Sequence, residues 1–179
     1  TQSPWLGPAY LNPMLGSNNA GSYPKVDIGL RKTEIIIPGI NLVLGAIEGR
    51  VWTGMLKQSE YFTGYAYYSN ENRMLNALSA SYSPSFIPGF TIGLNRIFMT
   101  YWRPENFSYI LRLFTKEKLN ALASSGNDED QKFSVFANWN FPKIGFSVYG
   151  ELGIDDYTSA PHQNPFHTAI YTVGVKQFI

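Results

Sequence analysis

The stretch Phe133-Ser134-Val135-Phe136-Ala137-Asn138-Trp139-Asn140-Phe141 decides the fold class. Its odd positions are Phe, Val, Ala, Trp and Phe, and its even positions are Ser, Phe, Asn and Asn. A period of two puts the apolar set on one face of an extended strand and a mainly polar set on the other. Downstream, Ile144, Phe146, Val148 and Leu152 oppose Gly145, Ser147, Tyr149 and Glu151. Upstream, Phe90, Ile92 and Leu94 alternate with Thr91, Gly93 and Asn95, and Met74, Leu78 and Tyr82 oppose Ala77, Ser79 and Ser81. Val43, Ile47 and Val51 share a parity with Gly45 and Gly49, leaving Glu48 and Arg50 on the other, while Val26, Ile28 and Leu30 alternate with Lys25, Asp27 and Arg31. Tyr171, Val173 and Val175 close the series, which predicts seven strands near 25–37, 42–53, 74–83, 90–98, 133–141, 144–152 and 168–177.

The connections sort by length. Three are short and hold proline, at Pro38-Gly39, at 84–89 and at Pro142-Lys143, and three are long, at about 53–73, 99–132 and 153–168. Short and long alternate, so an up-and-down antiparallel sheet puts every tight turn at one end and every long loop at the other. Transmembrane barrels have this asymmetry, whereas Greek-key sandwiches have no cause for it. Several segments also run to the nine or ten residues or so that a tilted strand needs to cross a bilayer. The fold class expected is therefore all-β, an antiparallel up-and-down transmembrane β-barrel, with residues 1–179 forming one domain that covers part of the barrel. In it, Ile, Val, Leu and Phe face lipid and Arg31, Glu48 and Arg50 face the lumen. Trp52, Tyr82, Trp139 and Tyr171 near strand ends supply interfacial girdles. A soluble β-core filled by the same aromatics is the competing reading. One short loop helix is expected near 105–122, where Pro104 suits a first turn and Phe107, Ile110, Leu111 and Phe114 recur at helical steps. It would fold into the barrel mouth or pack on its loop neighbours.

Composition agrees with strands and turns: 28 aromatic residues stand beside 16 Gly and 11 Pro, with only 15% charged. Fourteen basic against 13 acidic residues leave a net charge of +1, so no field would draw the chain to nucleic acid, and that partner is excluded. With no cysteine there are no disulfides, thiolate metal sites or cysteine nucleophiles. The most apolar run, 35–47, is interrupted by Pro38, Gly39 and Asn41, too short for a membrane helix, so a membrane role has to use the strands of a closed barrel. The opening Thr1-Gln2-Ser3-Pro4 has no initiator Met and no leader pattern, which points to a processed or truncated start.

No catalytic set emerges, and the protein is expected to be non-enzymatic, without cofactor or metal. His162 and His167 match no zinc spacing, and Asp128-Glu129-Asp130 lacks the glycine and terminal glutamate of a calcium loop. The long loops instead hold flat rings beside amides and carboxylates. Sugars present apolar C–H faces and many hydroxyls, so rings suit stacking and planar polar groups suit paired hydrogen bonds. The candidate polysaccharide-binding residues are Tyr65, Tyr67, Tyr68 and Asn70, then Tyr101 and Trp102, then Asp155 and Asp156. The same residue types are common on barrel loops of any function.

Trp5-Leu6-Gly7-Pro8, followed by Leu15-Gly16-Ser17-Asn18-Asn19-Ala20, resembles the opening elements of the Wzi family of capsule-assembly outer-membrane proteins. Further elements follow in the family's order: Ser83-Pro84 to Gly93 with Arg96, then Asp128 to Gln131 with its Asp130-Gln131 pair, Trp139, Pro142 and Tyr149-Gly150-Glu151 with Asp155-Asp156. Where the family has Trp-Trp-Gly-Pro-Gly, this chain has Trp-Leu-Gly-Pro-Ala. The resemblance implies a barrel in the outer membrane of a Gram-negative bacterium, acting at the cell surface as a lectin in capsule assembly. Its partners would be outer-membrane lipid and surface polysaccharide, with room for contacts to other outer-membrane or secretion proteins. Family members are considerably longer, and seven strands cannot close an even-numbered barrel. The sequence is thus expected to be a portion of a longer chain, or segments joined near Ser124 to Gln131. Two other functions fit the same residues: a porin-like solute channel or other transport or secretion barrel, and a soluble β interaction module.

Overall fold

The structure, a computed structural model, describes residues 5–9, 13–16, 21–59, 71–114, 130–155 and 169–178. Seven strands, β1 (Lys25–Ile37), β2 (Leu42–Leu56), β3 (Arg73–Pro84), β4 (Phe90–Tyr101), β5 (Asp130–Phe141), β6 (Phe146–Asp155) and β7 (Ala169–Gln177), form one antiparallel sheet in chain order. The period-two pattern becomes the pleat. Gly29, Arg50, Ser79, Asn95, Ser134 and Gly153 lie opposite one another across six strands, and the next row is Leu30, Gly49, Ala80, Leu94, Val135, Leu152 and Tyr171. Directly paired residues share a face, so the first row belongs to a polar face and the second to an apolar one.

Every short turn sits at one end of the sheet. The strands extend further toward the long loops than the alternation indicates: β2 runs to Leu56, β4 to Tyr101, and Met99 pairs with Asp130. Ile144, expected to open a strand, belongs to a 3₁₀ turn at Pro142–Ile144, where proline sets the local φ and withholds a ladder donor. In β1 the register shifts between Leu30 and Thr33, a bulge that sets Arg31 and Lys32 against the single residue Glu48.

The N-terminal segment lies on the polar face. A bridge between Leu6 and Gly16 closes it, and Leu6 is buried in a cluster with Trp52, Leu75, Ala77 and Ile97. Leu6 thus shares one cluster with residues of β2, β3 and β4, while Gly7 packs on Glu151 of β6 and the Pro8 carbonyl accepts a 3.0 Å hydrogen bond from Lys176 Nζ of β7. In a flat sheet β2 and β7 would be five strand spacings, roughly 24 Å, apart, far more than three successive residues span. The sheet is therefore curled around this segment, with the polar face inside. Trp52 follows the curl inward: it is 1% exposed and donates to Tyr23 Oη, so it forms core and no girdle. Tyr82 and Trp139 face outward at the turn end, where Trp139 meets Phe90 and Phe141, and Tyr171 faces outward at mid-height.

A 3₁₀ helix at Pro104–Phe114 covers the outward face of β3 and β4 at the long-loop end. Tyr109 packs edge-on to Phe98, the Leu113 carbonyl accepts from Arg96, and the Asn106 amide donates to Thr100 Oγ1 and the Tyr101 carbonyl. The expected loop helix thus packs on the face of β3 and β4 opposite the N-terminal segment, over the polar residues Asn76, Arg96 and Thr100. Residues 115–129 lie outside the described residues, and of the suspected join near Ser124 to Gln131 only Asp130 and Gln131, in β5, are described.

Candidate functional site

Between the N-terminal segment and the inner wall lies a cleft of about 380 Å³, within the size range of small-ligand pockets. Trp5, Leu6, Gly7 and Pro8 form its roof. The wall contributes Glu48, Arg50 and Trp52 from β2, Ser79 and Ser81 from β3, Thr91 from β4, and Phe136 and Asn138 from β5. All these wall positions fall on the inward parity, which is why one cleft gathers residues from four strands.

The roof is held at specific points. Trp5 Nε1 donates to the Ala9 carbonyl at 2.9 Å, which fixes the ring while leaving the residue 41% exposed. Leu6 anchors the segment by burial, a contribution of roughly 1.5–3 kcal/mol. Gly7 has φ of +92°, and a Cβ there would stand 2.6 Å from Glu151 Oε2, so both conformation and space demand glycine. Glu151 itself is 4% exposed, and neither carboxylate oxygen has a hydrogen-bond partner of good geometry, although Ser134 and the Met14 N–H face it. On the wall, Gly93 leaves space that the Phe136 ring fills: a Cβ at Gly93 would come 2.3 Å from Phe136 Cζ.

The charges in the cleft largely cancel. Arg50 binds Asp27 through two nitrogens at 3.1 and 2.7 Å, and Lys25 lies 3.7 Å from the same carboxylate. Glu48 is exposed to the cleft. Just before β1, burial pushes the Tyr23 phenol above its ordinary value, opposed by the hydrogen bond from Trp52.

Among the loop candidates, Tyr65, Tyr67, Tyr68, Asn70 and Asp156 lie outside the described residues, and Asp155 ends β6 opposite Lys132. Tyr101 is 2% exposed, with the Arg73 and Arg103 guanidinium groups 4.1 and 4.7 Å from its ring centroid, so its ring is occupied by cations. Arg103 is in turn held by Glu71 in a two-point pair at 2.8 Å. Trp102 is half-buried against Phe107. Of the residues singled out by family resemblance, Trp5, Gly7, Pro8 and Glu151 meet at the roof. Asp130 lies 3.6 Å from Lys132, Gln131 accepts from Arg96, and Ser17, Asn18, Asn19 and Ala20 lie outside the described residues. Glu48 and Arg50 lie on the face of the sheet that the N-terminal segment covers, while Arg31 is displaced into the bulge. The hydroxyls of Ser79, Ser81 and Thr91 and the amide of Asn138 carried only one signal in the sequence, membership of the polar parity. No group of three potential metal ligands occurs among the described residues, and His162 and His167 lie outside them.

Comparison of the chain with models of protein families, with curated proteins and with solved structures gives no match.

Proposed function

We propose that this chain forms part of the wall of a non-enzymatic outer-membrane β-barrel of the capsule-assembly type in a Gram-negative bacterium, which binds and anchors surface polysaccharide through its long loops. The observation that carries the reading is the sorting of the two faces. Ile28, Val26, Val173 and Val175 are 79%, 71%, 81% and 61% exposed on the outside, while the inside is polar and holds the N-terminal segment. Isolated exposed apolar residues are ordinary, but whole rows of them suit lipid. From Phe133 to Phe141 the apolar parity of β5 runs about 27 Å along the strand, or about 21 Å across a bilayer at the usual tilt, close to the apolar band of such barrels. Above it the 104–114 helix covers the outward polar residues, and below it Phe90, Trp139, Phe141 and Phe146 form a contiguous aromatic row. No helix among the described residues is long and apolar enough to cross a membrane, which leaves crossing by strands open.

Neither β1 nor β7 has a second strand partner among the described residues, and both run from the long-loop end to the turn end. Pairing them directly would make a parallel seam. In this reading an odd number of further strands completes an all-antiparallel barrel.

The test is capture of purified capsular polysaccharide by the full protein in lipid vesicles. Tyr65→Ala, Tyr67→Ala and Tyr68→Ala together are expected to weaken it, with chelators having no effect; capture unaffected by the three changes would overturn the loop assignment. A second reading, a porin-like channel, is favoured by Glu48 and Arg50 facing inward. It predicts a large, steady single-channel conductance, whereas a wall with its inner face crossed by the N-terminal segment predicts little.

A further inference from the structure

Under the N-terminal segment, we infer a second saccharide site, separate from the long loops and selective for neutral sugar units, in the cleft between Trp5 and Asn138. This inference rests on the polysaccharide reading above and adds where, and which, sugar units are held. A sugar site needs a flat apolar surface, a ring of small donors and acceptors, and planar groups that bind adjacent hydroxyls in pairs. The cleft has each. Trp5 is fixed by its N–H to Ala9 while 41% exposed, so the ring is preorganised and available. Ser81 and Thr91 line the wall with hydroxyls, that of Thr91 already paired with Ser83 Oγ at 2.9 Å, and Asn138 adds a planar amide. Phe136 supplies a second apolar surface, seated over Gly93.

Electrostatics select among sugars. Among the described residues that line the cleft the cation is Arg50, which is committed to Asp27 by two hydrogen bonds, and Glu48, set across from Arg31 and Lys32 of the β1 bulge, leaves an exposed carboxylate. A uronate or sialate in the cleft would meet that carboxylate, while the guanidinium of the lining is already engaged by Asp27. A neutral hexose or N-acetylhexosamine offers hydroxyl donors that Glu48 accepts. Because the roof is the N-terminal segment, the site exists only while Leu6 and Gly7 are seated on β3, β4 and β6.

The experiment measures binding of short oligosaccharides to the full protein in detergent micelles by calorimetry, using tetramers of glucose, galactose, mannose and N-acetylglucosamine, with tetragalacturonate as the acidic probe. At least one neutral tetramer is expected to bind in preference to tetragalacturonate. Trp5→Ala and Asn138→Ala should each weaken it by about tenfold, with Trp5→Phe restoring most of the loss. If Trp5→Ala disturbs folding, Asn138→Ala decides alone, since its side chain lies on the inner wall outside the hydrophobic cluster. No binding of any neutral tetramer, or preference for the acidic probe, overturns the inference. So does tetramer binding that follows the Tyr65, Tyr67 and Tyr68 changes and ignores Trp5 and Asn138, a result that leaves the loop reading standing. Polymer capture that ignores the loop changes while tetramer binding follows Trp5 and Asn138 does the reverse.

Discussion

The two faces of one sheet have opposite fates. On the outside Ile28 and Val173 are about four-fifths exposed, and on the inside Asn95 and Ser134 are 0% exposed and Glu151 4%. A water-soluble antiparallel sheet packs its apolar face on a core and gives its polar face to solvent. Here the polar face is the one that is covered, by a segment that buries Leu6 among Trp52, Leu75, Ala77 and Ile97 and sets Gly7 against Glu151, and the apolar face is left bare along both edges. The inner face is specified by individual contacts, such as Asn95 Nδ2 donating to Ser134 Oγ and Gly7 set against Glu151. Away from the 104–114 helix and the aromatic row at the turn end, the described outer face is specified by hydrophobicity alone. Substitutions should therefore act by different rules on the two sides.

The largest contrast is expected from placing one charge on each face of β5. Val135→Arg, in the middle row of the outward band, should destabilise the protein in lipid vesicles by about 2–4 kcal/mol, the cost of an arginine near the bilayer midplane. Asn140→Arg, exposed and on the inward parity, should change stability by less than about 0.5 kcal/mol. Equilibrium unfolding by denaturant in vesicles measures both. Equal, small effects would mean that the outer face meets water, and the membrane reading would fall.

The contrast also sets what sequence alone makes legible. The strands and their faces follow from period-two alternation, which is local and survives into the pleat without knowledge of the rest of the chain. Trp52 shows the rule holding against a cruder one: its position near a strand end suggests a girdle, but its parity with Glu48 and Arg50 already sends it inward, where it is buried. The seat of the N-terminal segment is not legible in this way. Gly7 meets Glu151 only because the sheet curls, and curl accumulates over many strands without a sequence period of its own. The covering of Asn76 and Thr100 by the 104–114 helix is hidden for a similar reason: the helical spacing shows that an amphipathic segment exists, not which side of the wall it takes.

The seat of the roof gives the next effect in size. Gly7→Ala adds a Cβ 2.6 Å from Glu151 Oε2 at a φ that non-glycine residues avoid, and should cost about 1–3 kcal/mol of local stability. Amide exchange reports it directly, because the Leu6 N–H donates to the Gly16 carbonyl at 3.0 Å and is protected only while the segment is seated. The sheet amides should hardly change. Adding Glu151→Ala removes the clash and leaves the φ penalty, so the double variant should recover part of the protection lost by Gly7→Ala, a coupling between residues that touch. Full recovery would show that the backbone angle costs nothing there, and no recovery would show that the two residues do not meet.

The smallest effect belongs to Asp27→Asn, and its value lies in separating lectin from channel. The pair with Arg50 is partly exposed, so its loss should cost less than about 1 kcal/mol and vary with salt. What changes is the charge facing the interior: Arg50 is left without its carboxylate partner beside Glu48. In a conducting pore, an uncompensated guanidinium on the wall shifts selectivity toward anions, which reversal potentials in an asymmetric salt gradient would read. Where the N-terminal segment covers this wall, the variant carries no measurable current to shift. Its consequence should then appear in the cleft, as a smaller discrimination between the neutral tetramers and tetragalacturonate, because a freed Arg50 offsets the repulsion that Glu48 imposes on an acidic sugar. A shift in selectivity with no change in sugar preference would assign the inner face to transport.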